Sequence, residues 1–431
     1  MVLYAMQPCA QQVCAAPLMA LPVLPGTNSS TMQATDQTES AAIPVDKVRG
    51  GMVGTLVALF ATGFGAFLSL YATQPLLPDF RRIYHASEVL VSLTVTAPVL
   101  AVALMAPLAG MVADAVGRKR VIVASMLGLA LATAMVASAQ TLMQIVAWRF
   151  FQGLFVPAIV AVAIAYISEE TPHESVGSTM ATYVTGTVVG GFVGRFTVGM
   201  VGHYGDWRWG FGLVGALNLA VVLVTLWLLP GARRFVRQSD PAKAVRSMLG
   251  HLRNPPLVAT YVVGFNVLFS LVGTFTYVNF YLADDPFRLG AAALAWIFSI
   301  YLIGAAITPI AGRILDRIGF RRTLIGAVGM SACGLLLTLI PSIFAVIAGL
   351  ALEATGVFIC QSASSGHIGH AAKTARSSAA GLYVTFYYLG GFVGSFLPGV
   401  LWAQAGWYGC VALMLCMQAV SVIVAYKLWM D

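Results

Sequence analysis

The sequence predicts an all-α membrane protein: twelve transmembrane helices in two pseudo-symmetric halves of six. Three observations predict it. Hydrophobic residues make up 59% of the 431 and charged residues only 9%, with a mean hydropathy of +0.85. Soluble domains carry about 25% charged residues, so the bilayer must be the solvent for this chain. From Met52 onward the sequence is a series of apolar runs, each long enough to cross a ~30 Å hydrocarbon layer as a helix. The runs also repeat. Pro107, Ala109, Gly110, Asp114 and Gly117 recur 202 residues later as Pro309, Ala311, Gly312, Asp316 and Gly319. Tyr183-Val184-Thr185 and Gly190-Gly191-Phe192-Val193-Gly194 recur 200 residues later as Tyr383-Val384-Thr385 and Gly390-Gly391-Phe392-Val393-Gly394. Two related halves in one apolar chain are the mark of a transporter whose halves rock against each other.

Residues 1–50 are mixed and rich in Ser, Thr and Gln, and read as a disordered cytoplasmic tail, with Met32 and Met52 as alternative starts. The apolar stretch Ala15–Leu24 lacks the basic residues that precede the core of a signal peptide. The first half, 51–229, holds spans at 52–74, 89–112, 119–138, 142–167, 177–200 and 209–229. A linker, 230–256, carries Arg233, Arg234, Arg237, Lys243, Arg246 and Arg253 against Asp240 alone, a basic face for the membrane surface. The second half, 257–431, holds spans at 257–282, 290–312, 322–341, 343–366, 379–402 and 406–428. With both termini inside, the inner segments hold 18 Lys and Arg and the outer loops 4, which predicts cytoplasmic termini. The net charge of +8 is spread over these short segments as topology signals, which argues against nucleic acid as a partner. The six cysteines show no metal-binding spacing and read as packing, and no cofactor is predicted.

The loop Gly110-Met-Val-Ala-Asp114-Ala-Val-Gly117-Arg118-Lys119-Arg120 resembles the signature loop of the major facilitator superfamily, and Gly312 to Arg322 resembles its second-half copy. Arg149-Phe-Phe-Gln152-Gly153 is similar to the family's fourth-span motif. Tyr71-Ala-Thr-Gln74-Pro75, Tyr166-Ile-Ser168-Glu169-Glu170 and Tyr387-Tyr388-Leu-Gly390-Gly391 resemble the bacterial drug or arabinose efflux permeases. Drug antiporters of that group carry Gly-Pro in the fifth span, where this chain has Gly190-Gly191. The resemblance covers 52–428 and implies the major facilitator fold, a bacterial inner-membrane location, a monomer, and proton-coupled transport associated with Arg149.

The paired loops read as gates: Gly110, Asp114, Gly117, Arg118 and Arg120 in the first half, Gly312, Asp316, Gly319, Arg321 and Arg322 in the second. Asp114 is expected to face the start of the eleventh span near Ser377 and Ser378, and Asp316 the start of the fifth near Ser175. Each helix dipole would favour the anion by ~0.3–1 kcal/mol. Arg149 and Glu353 lie near mid-bilayer, where one charge costs about 2.5–3.5 kcal/mol even on insertion scales. A pair between them across a central cavity is expected, with Glu353 as the proton carrier, because the first, fourth and seventh spans contain no acid. Arg195 either reaches toward the interface or serves as a cavity cation or outer gate. Gly186, Gly190, Gly194, Gly390 and Gly394 fall at spacings of four, a face for close helix packing.

Polar residues inside the spans nominate a solute surface: Gln152, Asn266, Ser270, Tyr277, Asn279, Tyr281, Tyr301, Gln361, Tyr383, Tyr387 and Tyr388. Tyrosines and a few amides suit amphiphilic or modestly polar small molecules. The six histidines fall at loops or span ends and offer no central shuttle. No HExxH, paired-aspartate or Ser/His constellation supports an intramembrane enzyme, and no GxxxxGK[ST] loop supports ATP hydrolysis. The sequence therefore reads as a secondary transporter exporting a small organic compound, drug-like or sugar-like, in exchange for protons. Uptake by symport or uniport, and a transport-inactive sensor, remain open.

Overall fold

The computed structural model describes the backbone at 45–172, 175–231, 250–372 and 376–429. Within these ranges the side chains at 45–50, 110–116, 305, 308–309, 316 and 376–377 lie outside the description. Residues 1–44 of the expected tail and most of the expected linker therefore fall outside it, while 45–50, expected in the tail, are helical. The elements are α1 (Val45–Leu68), α2 (Leu77–Ile83), α3 (Glu88–Val116), α4 (Arg118–Ala137), α5 (Leu142–Glu170), α6 (Val176–Tyr204) and α7 (Trp207–Leu228). The second half continues with α8 (Pro255–Ala283), α9 (Ala291–Ile297), α10 (Tyr301–Ile318), α11 (Phe320–Leu337), α12 (Ile343–Ala371) and α13 (Arg376–Leu428). Among the described residues there is no strand, and ten helices are long and apolar enough to span a membrane. Phe344 and Trp227 are 82% and 80% exposed, which places their rings toward lipid.

Several ends differ from the sequence reading, each for a local reason. α1 stops at Leu68 rather than 74, and Pro75, which has no N–H to continue an α-helix, lies in the 3₁₀ turn (Gln74–Leu76) that follows. The expected span 290–312 is broken at Phe298–Ile300 by another 3₁₀ turn between α9 and α10. α3 and α10 run on to Val116 and Ile318, so Asp114 and Asp316 sit on final helical turns instead of in loops. The reversals reduce to single residues, Gly117 (φ 106°) and Gly319 (φ 85°), in a region that favours glycine. α13 is 53 residues long but non-helical at Gly406. Along α8, Gly390 meets Phe265 and Gly394 meets Phe269, whereas Met414 meets Thr274 and Met417 meets Asn266. The two limbs of α13 therefore run in opposite directions, and the chain folds back at Gly406.

The glycine faces pack as their spacing predicts. A Cβ at Gly186, Gly190 or Gly194 would overlap the carbonyl oxygens of Phe60, Phe64 and Leu68 on α1. A Cβ at Gly390 or Gly394 would overlap those of Phe265 and Phe269 on α8. Bare backbones meeting this closely give each half a rigid helix pair.

The halves meet at the end of the bundle that carries α2 and the start of α3. Arg81 bridges to Asp284 at 2.5 and 3.1 Å and to Glu88 at 2.9 Å. The Asp284 carboxylate, hydrogen-bonded to it, holds the Arg81 guanidinium charged above its ordinary range. The Tyr277 hydroxyl donates to the Ser395 carbonyl at 2.9 Å and lies 3.3 Å from Ser92 Oγ. Phe196 meets Trp296 edge to face at 4.8 Å between centroids. At the other end, the Gly117 end, Arg118 pairs with Glu169 at 2.7 Å within the first half.

Candidate functional site

Two buried arginines organise the middle of the molecule. Arg149 on α5 is fully buried and donates to the carbonyls of Ser69 and Leu70, to the Thr94 carbonyl at 2.8 Å, and to Gln152 Oε1 at 2.6 Å. It supplies donors to carbonyls left open where α1 stops. Gln152 passes the network on to Thr133 Oγ1 at 2.8 Å. The expected Arg149–Glu353 pair is not formed: Arg149 spends its donors inside the first half, and the one hydrogen bond described for Glu353 comes from Thr274 inside the second. Gln152 is likewise no cavity residue, because Arg149 and Thr133 engage both ends of its amide and it is fully buried.

The backbone that Arg149 braces leads into the second arginine site. Tyr71 follows Leu70 directly, and its hydroxyl is near enough to both guanidinium groups to feel their charge. Arg195 on α6 is 2% exposed, so it does not reach the interface. Its Nε donates to Gln74 Oε1 at 2.7 Å, and its Nη1 to the Gly191 carbonyl at 2.6 Å. Its guanidinium carbon lies 4.9 Å from the ring centroid of Tyr71, 4.9 Å from that of Phe298 and 4.6 Å from that of Tyr301. Tyr71 belongs to the first half, while Phe298 and Tyr301 come from the broken helix α9–α10 of the second. Gln74 Nε2 then donates across the midline to Thr276 Oγ1 at 3.2 Å. Among the described hydrogen bonds, Nη2 of Arg195 makes none.

Further tyrosines converge here. Tyr387 lies near Tyr71 and Tyr301, and Tyr388 near Tyr71 and Tyr183. Tyr387 also stacks on Tyr383 at 5.9 Å, whose hydroxyl lies 2.8 Å from Ser364 Oγ. The result is a cluster of aromatic rings from both halves packed around one cation. Guanidinium faces stack on rings while the edges remain free to donate, so such a cluster can engage a solute by π contact and directed hydrogen bonds together.

Arg195, Tyr301 and Tyr387 of the expected solute surface come together here, with Tyr383 behind. Three others lie elsewhere. Asn266 faces the interior of the second half and donates to the Met417 carbonyl and Ser421 Oγ. Tyr277 belongs to the seam between the halves. Asn279 donates to the Phe275 carbonyl of its own helix at 2.6 Å. Tyr71, Gln74 and Phe298 were missed as site residues; Pro75, which ends α1, was the available signal for the first two. Glu353 is fully buried; Thr274 Oγ1 donates to its Oε1 at 3.5 Å, and its Oε2 has no partner. His367 lies inside α12 rather than at its end, buried and 2.8 Å from Thr260 Oγ1.

The expected gate residues divide. Gly117 and Gly319 form the reversals, and Gly312 is buried within α10. Arg118 is held by Glu169, Arg321 lies over the Tyr426 ring at 5.6 Å, and Arg120 and Arg322 are exposed. Gly110 sits within α3, and the side chains of Asp114 and Asp316 lie outside the described residues.

Ten helices long and apolar enough to cross a membrane, in two halves that meet around a buried polar and aromatic centre, define a multi-pass membrane transporter. The chain belongs to the Major Facilitator Superfamily, whose sequence profile matches residues 59–286 and 282–431. It is 31% identical over 369 residues to the uncharacterized MFS-type transporter YybF of Bacillus subtilis (strain 168), covering 85% of this chain and 91% of that one. It is 30% identical over 375 residues to the inner membrane transport protein YnfM of Escherichia coli (strain K12), covering 86% and 89%. Its fold matches the nucleoside transporter NupG with a TM-score of 0.70 at 16% identity, covering 88% of this chain and 98% of that one. It matches the xylose transporter XylE from E. coli, in a partially occluded inward open conformation, with 0.69 at 14% identity and the same coverage.

Proposed function

We propose that this transporter exports a small organic compound, drug-like or sugar-like, in exchange for protons, in the manner of the drug or arabinose efflux permeases. The observation that carries the reading is Arg195, clasped by rings from both halves with its Nη2 unengaged. The excess of Lys and Arg at the Gly117 end makes that end cytoplasmic. Arg81–Asp284 and Tyr277–Ser92 then seal the outer end. A solute entering from the cytoplasm meets the tyrosine rings and the free edge of Arg195. On rocking, the outer contacts part, and the Asp114 and Asp316 turns latch the inner end. Glu353, an acid without a partner for one oxygen, carries the proton. Arg149 acts as a positioning residue: it fixes the backbone at Ser69 and Leu70, next to the ring of Tyr71 and the amide of Gln74. Gly191 has a role here too. Its missing Cβ leaves room for Arg195 Nη1, which gives the departure from Gly-Pro a structural reason.

The test is proton flux in sealed proteoliposomes with an imposed pH gradient, screening amphiphilic drugs and small sugars. Solute-triggered proton release in the wild type that disappears in Glu353→Gln supports export by exchange. Solute movement indifferent to the gradient in both proteins makes this a facilitator and overturns the proton role of Glu353.

A further inference from the structure

A small cavity of ≈ 20 Å³ lies inside the second half, where α8, α11, α12 and the second limb of α13 meet. Its polar lining is Asn266 and Ser270 on α8, Ser331 on α11, Cys360 on α12, and Gln418 and Ser421 on α13. The amide nitrogens are engaged: Asn266 Nδ2 with Ser421 Oγ at 2.8 Å, and Gln418 Nε2 with Ser331 Oγ at 2.8 Å. That orientation leaves Asn266 Oδ1, Gln418 Oε1 and Ser270 Oγ buried without partners. Buried polar atoms are ordinarily hydrogen-bonded, so three orphans around one cavity call for an occupant.

The first half shows that helix packing at this place does not itself require such a lining. Phe64 and Phe265 are equivalent, since their carbonyls lie against Gly190 and Gly390 of the repeat, so Gly65 corresponds to Asn266. Trp207 and Trp407 are equivalent as well, which pairs Asn218 with Gln418 and Val221 with Ser421. The helices after Gly117 and Gly319 pair Leu129 with Ser331. Of the first-half residues only Asn218 is polar, and the place is closed: a Cβ on Gly65 would meet Val221 at 3.0 Å and Met126 at 3.2 Å. The second half puts polar side chains and an opening where the first half has bare backbone and apolar contact.

We propose that this cavity binds one ordered water, held by Asn266, Ser270 and Gln418, as an exchangeable pin between α8 and the second limb of α13. The space suits a single water, and buried waters typically make about three hydrogen bonds. Donating to both amide oxygens and accepting from the Ser270 hydroxyl satisfies all three orphans. A bare cation is the poorer occupant, because no carboxylate lines the cavity to offset its charge. Elsewhere on α8, Phe265 and Phe269 meet the bare backbone of Gly390 and Gly394, a contact with no slack. At Asn266 and Ser270 the helix instead reaches its neighbour through a molecule that can shift. The same helix carries Thr276 to Gln74 and Tyr277 to the outer seam, so the water keeps its polar face hydrogen-bonded as those contacts part and re-form. The inference rests neither on the identity of the solute nor on the proton role of Glu353.

X-ray footprinting of the full chain in detergent tests this with water itself as the probe. Hydroxyl radicals formed from a bound water oxidise the side chains beside it, and mass spectrometry reads the oxidised positions. Cys360 lines the cavity, whereas Cys410, also buried, does not and serves as the reference. Cys360 is expected to oxidise about 10-fold faster than Cys410. That rate persists when a bulky scavenger in the buffer suppresses oxidation of Tyr204, which is 79% exposed. Gln418→Leu, which fills the cavity and removes an acceptor, and Ser270→Ala, which removes a single oxygen, each bring Cys360 toward the Cys410 rate. Equal rates for the two cysteines in the wild type overturn the water, as does Cys360 oxidation that the scavenger suppresses along with Tyr204, or that neither variant slows. A Cys360 rate that rises when choline chloride replaces sodium chloride assigns the cavity to a sodium ion and overturns it too. The wild-type comparison stands even if Gln418→Leu folds poorly.

Discussion

Replacing Arg149 with methionine separates a brace from a mobile charge. The guanidinium makes four hydrogen bonds, three to backbone carbonyls of Ser69, Leu70 and Thr94 and one to Gln152. Methionine removes the buried charge and its desolvation cost, but leaves the acceptors behind. Two carbonyls keep a second partner: Ser69 receives the Ala72 N–H at 3.2 Å, and Thr94 the Thr73 hydroxyl at 3.5 Å. Leu70 and Gln152 Oε1 lose the partner described for them. At ~1–3 kcal/mol for each buried group left unsatisfied, Arg149→Met destabilises the first half by about 3 kcal/mol. Tryptophan fluorescence of the purified protein during heating in detergent reads this loss. Arg208→Gln is the control: Arg208 also donates to a carbonyl, Ala139 at 3.0 Å, but from a partly exposed side chain, so it costs under about 1 kcal/mol. A melting temperature for Arg149→Met equal to that of Arg208→Gln would refute the brace.

Three further outcomes follow from the packing and the turns. Gly190→Ala forces a methyl against the Phe64 carbonyl and lowers stability by about 1–3 kcal/mol, whereas Gly212→Ala, open around its Cβ, leaves melting unchanged. Gly117→Ala strains a positive-φ turn with free space around it, and destabilises by about 1–2 kcal/mol in the same melting assay. Glu353→Gln preserves the melting temperature to within about 1 kcal/mol, because an amide can still meet Thr274, while abolishing the pH dependence of transport in proteoliposomes.

The fold was legible because its signals are repetitive. A 202-residue echo, long apolar runs and glycines spaced by four each have one physical use in a bilayer, and Gly186, Gly190 and Gly194 do lie against the bare backbone of α1. The site was legible only in part. A polar residue inside a span must bond to something, but its chemistry does not say to what. Asn279 turns to its own helix, Gln152 to Arg149 and Asn266 to α13, while Arg195, Tyr301, Tyr387 and Tyr388 gather at the centre. Arg149 and Glu353 looked complementary in charge and depth, yet open carbonyls at the end of α1 met the arginine first. The seat of Arg195 depends on two helix breaks, at Gln74 and at Phe298, which bring rings from different halves together. Pro75 announces the first break. Nothing local announces the second.

Opposed motion of the two ends is the central claim, and paired spin-label distances test it most directly. With Cys9, Cys14 and the exposed Cys333 and Cys416 replaced by serine, one pair of labels at positions 82 and 288 reports the Arg81–Asp284 end, and another at 120 and 322 reports the Gly117 end. Asp284→Asn removes an ion pair worth about 0.5–1 kcal/mol at a partly exposed site, enough to shift a two-state balance a few-fold. The account predicts that the 82–288 distance lengthens in this variant while the 120–322 distance shortens. Both distances lengthening together, or the first changing while the second stays fixed, would contradict it.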